Sequence, residues 1–151
     1  MNDDLAEQSV LSCCYQSPLA LERASAILTA ADFYNPKHER LWGVLKALKA
    51  EGRPTDATAV QLALKGDAVL MSAHLAAASN PAVVDSVEHY ASEVKGFSRR
   101  RQIIAACRNG FEVVQKLLIE AYSSRDLQSL VVIIIELDMT FVRAEQFHRG
   151  H

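Results

Sequence analysis

Few residues of this chain have both the type and the spacing for chemistry. His89 and Glu93 lie four residues apart, on one face of any helix formed there, and His38 is followed directly by Glu39. A zinc site needs three or four ligands, usually with close pairs of cysteine or histidine. Cys13 and Cys14 are adjacent, Cys107 is isolated, and no cysteine pairs with a histidine at short spacing. No metal site is therefore expected, and these residues read as capping, surface or packing groups. A catalytic thiol would need a base and an acid beside it in space. Cys13 and Cys14 read more simply as helix positions, one of them in the core. No stretch has the glycine, four residues, Gly-Lys-Ser/Thr order whose amides and lysine hold nucleotide phosphates, and Lys65-Gly66-Asp67 reverses it. The chain is expected to hydrolyse no ATP and to hold no catalytic or cofactor-binding residue.

Ser98-Arg99-Arg100-Arg101 is the one basic cluster. It reads as a solvated helix face, or as a contact for an acidic partner surface or passing single-stranded DNA. Only Phe97 lies beside it as an aromatic, so a base-stacking platform is weak. Glu7 and Gln8 on a short first helix have no acid partner, and are expected to hydrogen-bond a neighbouring loop. Trp42 and Tyr34 are expected in the core, Tyr34 with its hydroxyl wet.

With 151 residues, half of them apolar, there is enough chain for one domain with a real core. A formal charge of −2 argues against a general nucleic-acid grip, so direct binding is expected to be weak or absent. Three cysteines, two of them adjacent, suggest no disulfide framework and fit a reducing cytoplasm. A secretory signal is not evident. The longest apolar run, Leu130 to Ile135, falls far short of the roughly 20 residues a membrane span needs.

Apolar residues recur at helical spacing almost throughout, which predicts an all-α fold. Asp3 or Asp4 caps a first helix that turns Leu5, Val10, Leu11 and Cys14 inward. Ser17-Pro18 and Asn35-Pro36 each read as N-cap plus first helical residue. The helix after Asn35 carries Leu41, Trp42, Val44, Leu45 and Leu48 on one side, and Gly52 stands where a left-handed C-terminal cap is expected. Asp56 caps a further helix, Gly66-Asp67 breaks it, and a short helix covers Val69 to Ala78. Ser79-Asn80-Pro81 is a loop. From about Val84 to Tyr122 only Gly96 and Gly110 interrupt the helical pattern, as bends or close contacts. Ser123-Ser124 supplies a turn before a last helix to about Phe147.

The expected layout is a globular bundle of short helices, residues 1–82, followed by a long antiparallel helical hairpin, residues 83–151. A straight helix from 84 to 122 would span about 58 Å, too long to bury its apolar stripe on its own bundle. Val113, Val114, Leu117, Leu118 and Ile119 must then meet the return helix or another chain. The run Leu130 to Ile135 would be apolar all round as a helix, while its β-branched residues also suit a strand. Self-association through the hairpin follows.

Four motifs stand in order: Ala6-Glu7-Gln8-Ser9-Val10-Leu11, Asp32-Phe33-Tyr34 with His38, Gly52-Arg53-Pro54-Thr55-Asp56, and Val87-Glu88-His89-Tyr90-Ala91. Each is weak alone. Together they make the chain resemble, from about residue 5 to 147, the N-terminal domain of the DnaB-type replicative DNA helicases of bacteria and their phages. The resemblance implies an all-α domain whose hairpins pair into dimers, with three dimers forming a collar on the helicase ring. It implies docking of the primase C-terminal domain or a helicase loader on that collar. It also implies a RecA-like motor domain, which this chain lacks and which would bring ATP and magnesium. By position, Tyr90 becomes the first partner-contact candidate; Arg99, Arg100 and Arg101 stand as further candidates on their charge alone. Phe111, Val114, Leu118, Val132, Ile135 and Phe141 become candidates for dimer packing. Two departures bear on the partner. The return segment is more apolar than the Glu-rich one usual in the family, and Ala73-His74-Leu75 replaces the usual Tyr-Leu with acidic residues. The rival reading is a stand-alone adaptor that borrows the collar fold to load, cap or inhibit a helicase.

Overall fold

The computed structural model describes residues 3–124. Among these the chain is all-α, with six α-helices and two 3-10 turns in the order α1 (Asp3–Gln16), α2 (Pro18–Ile27), a 3-10 turn (Ala30–Asp32), α3 (Pro36–Ala50), α4 (Ala57–Ala63), α5 (Ala68–Ala78), a second 3-10 turn (Val84–Ser86) and α6 (Val87–Ser124). Polar side chains start the helices as their spacing predicts. Ser17 Oγ accepts from Ala20 N, Asn35 Oδ1 from Lys37 N and Asp56 Oδ1 from Ala59 N. Asp67 Oδ1 accepts from both Val69 N and Leu70 N. Each satisfies amides that a first helical turn leaves without partners. At the end of α3 the chain reverses through Gly52 at φ 68°, with Gly52 N donating to Lys49 O and Arg53 N to Leu48 O. That paired bonding needs a left-handed residue, which glycine supplies at least steric cost.

α1 packs against α2, α3 and α5, and α5 against α3 and α4. Ala6, Val10, Leu11, Cys13, Cys14, Leu21, Leu41, Trp42, Leu45, Val60 and Val87 form the centre of the core. Central α1 is buried nearly all round from Ala6 to Tyr15, Gln8 apart. Leu5 is the correction to its expected inward face: it is 49% exposed, one residue before that burial begins. Ser12 Oγ and Gln16 Nε2 donate to the carbonyls of Asn80 and Ala82, drawing the loop after α5 onto α1.

The chain forms two compact units, Met1–Arg101 and Gln102–His151. The first takes in α6 as far as Arg101, because Val87, Ala91, Val94 and Ser98, at helical spacing, are all buried in it. Gly96 and Gly110 lie inside α6 without interrupting it, and no described neighbour comes within 4 Å of a Cβ built on either. In the second unit, Ile103, Ile104, Phe111, Val113 and Ile119 are well exposed, Leu117 less so, and Val114 and Leu118 half-buried. The return helix, the helix-or-strand choice at Leu130–Ile135, and Val132, Ile135 and Phe141 lie outside the described residues. No described helix is long and apolar enough to cross a membrane.

Candidate functional site

The first two motifs meet at Glu7. Its carboxylate is fully buried on α1, where an ion needs bonded compensation. Tyr34 N donates to Oε1 at 2.5 Å and Asn35 N to Oε2 at 3.3 Å, while His38 Nδ1 lies 2.8 Å from Oε2. The two amides belong to the chain entering α3, where no intrahelical acceptor reaches them, so Glu7 serves as a distant cap. This is the loop contact expected of Glu7. Gln8 bonds within its own helix instead, donating to Asp4 Oδ2 at 2.9 Å. Asp4 Oδ1 accepts from Asn35 Nδ2 at 2.9 Å and lies 3.7 Å from His38 Nδ1.

The other side of the same loop is held by α6. Asp32 is 2% exposed, and its carboxylate accepts from Thr29 N, Thr29 Oγ1, Ser98 Oγ and Lys95 Nζ, at 2.8 to 3.0 Å. Burial alone would push this carboxyl up. The bonds from Lys95, the Thr29 amide, Ser98 and the Thr29 hydroxyl outweigh it and hold the group down at about 2. Arg101 finishes the latch: Nη2 donates to Asp32 O at 2.6 Å, Nη1 pairs with Asp3 Oδ2, and the guanidinium lies 5.2 Å from the Tyr34 ring centroid. Burial raises the Asp3 carboxyl in spite of Arg101, with Glu7 and Asp4 adding repulsion.

Tyr34 is therefore not the core residue expected from sequence. It is 68% exposed, because the loop turns Phe33 inward against Trp42, at 5.3 Å between ring centroids, and Tyr34 outward under Arg101. Trp42, 3% exposed, is in the core as expected. Beside Tyr34 a concavity of about 450 Å³ is lined by Asp3, Asp4, Tyr34, Asn35 and Pro36. Of the partner-contact candidates, Tyr90 is half-buried against the core with its ring near His89. Arg99 and Arg100 are exposed, Arg100 over the Phe97 ring, whereas Arg101 is committed to the latch. His89 and Glu93 join no described metal-ligand group, but Asp4, Glu7 and His38 do, with one ligand atom from each within 4.8 Å of the others. Sequence reasoning missed that group and the Asp32–Lys95–Ser98 network. Its local signal was the i, i+3 spacing of Asp4 and Glu7; the partners are 31 to 66 residues away.

The chain is 30% identical over 104 residues to the replicative DNA helicase DnaC of Bacillus subtilis (strain 168), a match spanning 66% of this chain and 23% of that protein. It thus spans about a quarter of the length of that curated relative. In fold it is similar to the N-terminal domain of DnaB helicase from Mycobacterium tuberculosis, with TM-score 0.60, 22% identity, and coverage of 88% of this chain and 94% of that one. It is also similar to the N-terminal domain of DnaB helicase from Helicobacter pylori, a structure described together with its interactions with primase, with TM-score 0.67, 21% identity, and coverage of 75% and 92%. Residues 2–96, which hold all four motifs, Glu7, Asp32 and Lys95, match the DnaB-like helicase N terminal domain, and the chain belongs to that family.

Proposed function

We propose that this chain is a non-catalytic scaffold of a replicative helicase, self-associating along α6 to build a collar on which primase or a loader docks. The observation that carries the self-association is the row Ile104, Cys107, Phe111, Val114 and Leu118. These residues follow one another at alternating spacings of three and four, the seam pattern by which one helix packs along another. Ile104 and Phe111 in that row are 59% and 63% exposed, more apolar surface than a lone helix keeps in water. In this reading ATP and magnesium belong to a motor domain, and the scaffold works in the cytoplasm, where it meets the replication machinery. Exposed Arg99 and Arg100 are assigned as docking contacts for the primase C-terminal domain, with half-buried Tyr90, nine residues before Arg99 and on another side of the helix, as a separate contact. The primase interactions described for the Helicobacter pylori relative support primase as the partner.

Sedimentation equilibrium tests the first half. The chain is expected to form dimers or trimers of dimers without nucleotide or DNA, and Val114→Asp with Leu118→Asp to return it to monomers. A strictly monomeric wild-type chain at high concentration would refute collar assembly. Titration with a purified primase C-terminal domain tests the second half. Arg99→Glu with Arg100→Glu is expected to abolish binding, and undiminished binding would place the docking face elsewhere.

A further inference from the structure

The fold closes Asp4, Glu7 and His38 around one point, and three independent features of that point suit a cation better than a proton. The first is spacing. His38 Nδ1 lies 2.8 Å from Glu7 Oε2 and 3.7 Å from Asp4 Oδ1. Ligand atoms about 2.0–2.2 Å from a tetrahedral ion are roughly 3.3–3.5 Å apart, between those two values. A proton on Nδ1 serves Glu7 and leaves Asp4 beyond hydrogen-bond reach, whereas one ion serves both. The second is outer support. Tyr34 N fixes Glu7 Oε1, Gln8 Nε2 fixes Asp4 Oδ2, and Asn35 Nδ2 touches Asp4 Oδ1. Asn35 N also donates to Glu7 Oε2 at 3.3 Å, so Asn35 borders both ligand oxygens, and each keeps a second lone pair for an ion, as hydrogen-bonded carboxylates of metal sites do. The third is access. Glu7 and His38 are buried, but the Asp4 side chain is 46% exposed at the edge of the concavity. Asp3, whose other carboxylate oxygen pairs with Arg101, lines the same concavity.

We infer that Asp4, Glu7 and His38 form a binding site for a divalent transition-metal ion, with zinc the best fit. One imidazole with two carboxylates matches its ligand preference, and the fourth position opens to water in the concavity. Binding releases to solvent any proton held by His38 Nδ1. The ion staples α1 to the start of α3, a role separate from collar assembly and primase docking.

The test is calorimetric titration of the metal-stripped chain with Zn²⁺, in a Cys107→Ser background because that thiol is exposed. One ion per chain is expected. Asp4→Asn should weaken binding at least about tenfold. This variant keeps the fold within reach, since Asp4 is half in water at the first turn of α1, and the melt of its metal-free form checks that. At equal zinc concentration the melting temperature of the parent should rise more than that of Asp4→Asn. No uptake by the parent, or equal uptake by parent and variant, would overturn the site.

Discussion

Replacing Asp32 by asparagine keeps the shape of the side chain and removes its charge. In the folded chain the carboxyl titrates at about 2, against an ordinary 3.8. A difference of about 1.8 pH units corresponds to ~2.5 kcal/mol of stability at neutral pH. At 3% side-chain exposure, little solvent screening discounts that figure. The amide would also turn an N–H₂ toward groups that now donate: Lys95 Nζ, Ser98 Oγ and the Thr29 amide and hydroxyl. Lys95 keeps 30% of its side chain in water, so its charge is not stranded, and the cost should stay at about 2–3 kcal/mol. For a chain of this length that is a fall of roughly 5–10 °C in Tm. The sign with pH follows from the lowered value. The Asp32 contribution is complete above the unfolded value of 3.8 and is lost as pH falls through the folded value of about 2. The gap between wild type and Asp32→Asn should therefore be full at pH 7 and about half as large at pH 3. Urea unfolding followed by far-ultraviolet circular dichroism at both pH values measures it. A loss under about 1 kcal/mol at pH 7, or a gap unchanged at pH 3, would show that the latch on Asp32 does not hold the unit together.

Arg101→Ala, which removes two charged hydrogen bonds from a side chain only 29% exposed, should cost about 2–3 kcal/mol, while Arg99→Ala and Arg100→Ala stay within about 0.5 kcal/mol in thermal melts. His74 is buried with its ring tilted against Tyr15, and burial lowers its pKa below the ordinary 6.5. Its neutral form is thus favoured by folding, and stability should decline as pH falls through about 6.5, a slope that His74→Phe should remove in denaturant titrations. Burial pushes the Cys13 thiol up to about 11 and raises Cys14 as well, whereas Cys107 is exposed. A disulfide reagent should therefore label one thiol in the native chain and all three only after unfolding; rapid native labelling of a second would contradict the packing of α1.

What was legible in the sequence was local. Ser17-Pro18, Asn35-Pro36, Asp56, Gly66-Asp67 and Gly52 announce helix ends because the bonds they make lie within five residues, and each was found where its type requires. The long helix was legible for the same reason, though its start moved to Val87 when Val84–Ser86 closed into a tighter turn. Side-chain direction in the loop between α2 and α3 was not legible. Phe33 and Tyr34 are equally aromatic neighbours, and the groups that tell them apart, Trp42 against Phe33 and Arg101 over Tyr34, come from other helices. Leu5 misled because a helix buried nearly all round has no single apolar stripe from which its first turn can be judged. The acceptor side of the site was partly visible, since Glu7 had no partner on its own helix. The donor side was not, because Lys95, Ser98 and Arg101 look like any other polar face of α6 until the fold sets them on Asp32.

The latch also sets a schedule for synthesis. Asp3 and its partner Arg101 are separated by 98 residues, and Asp32 and Lys95 by 63. At about 5–20 residues added per second, the partner of Asp3 is made roughly 5 to 20 s after it, and the ammonium that answers Asp32 roughly 3 to 13 s after it. Throughout that interval the nascent helices can pair locally through α1, α2 and α3, but the loop carrying Tyr34 is closed on one side only. The last turn of chain needed for a finished unit is the one ending at Arg101, so a chain that stops short of it would hold a collapsed bundle in which Glu7 is bonded while the Asp3 carboxylate still lacks its partner from α6.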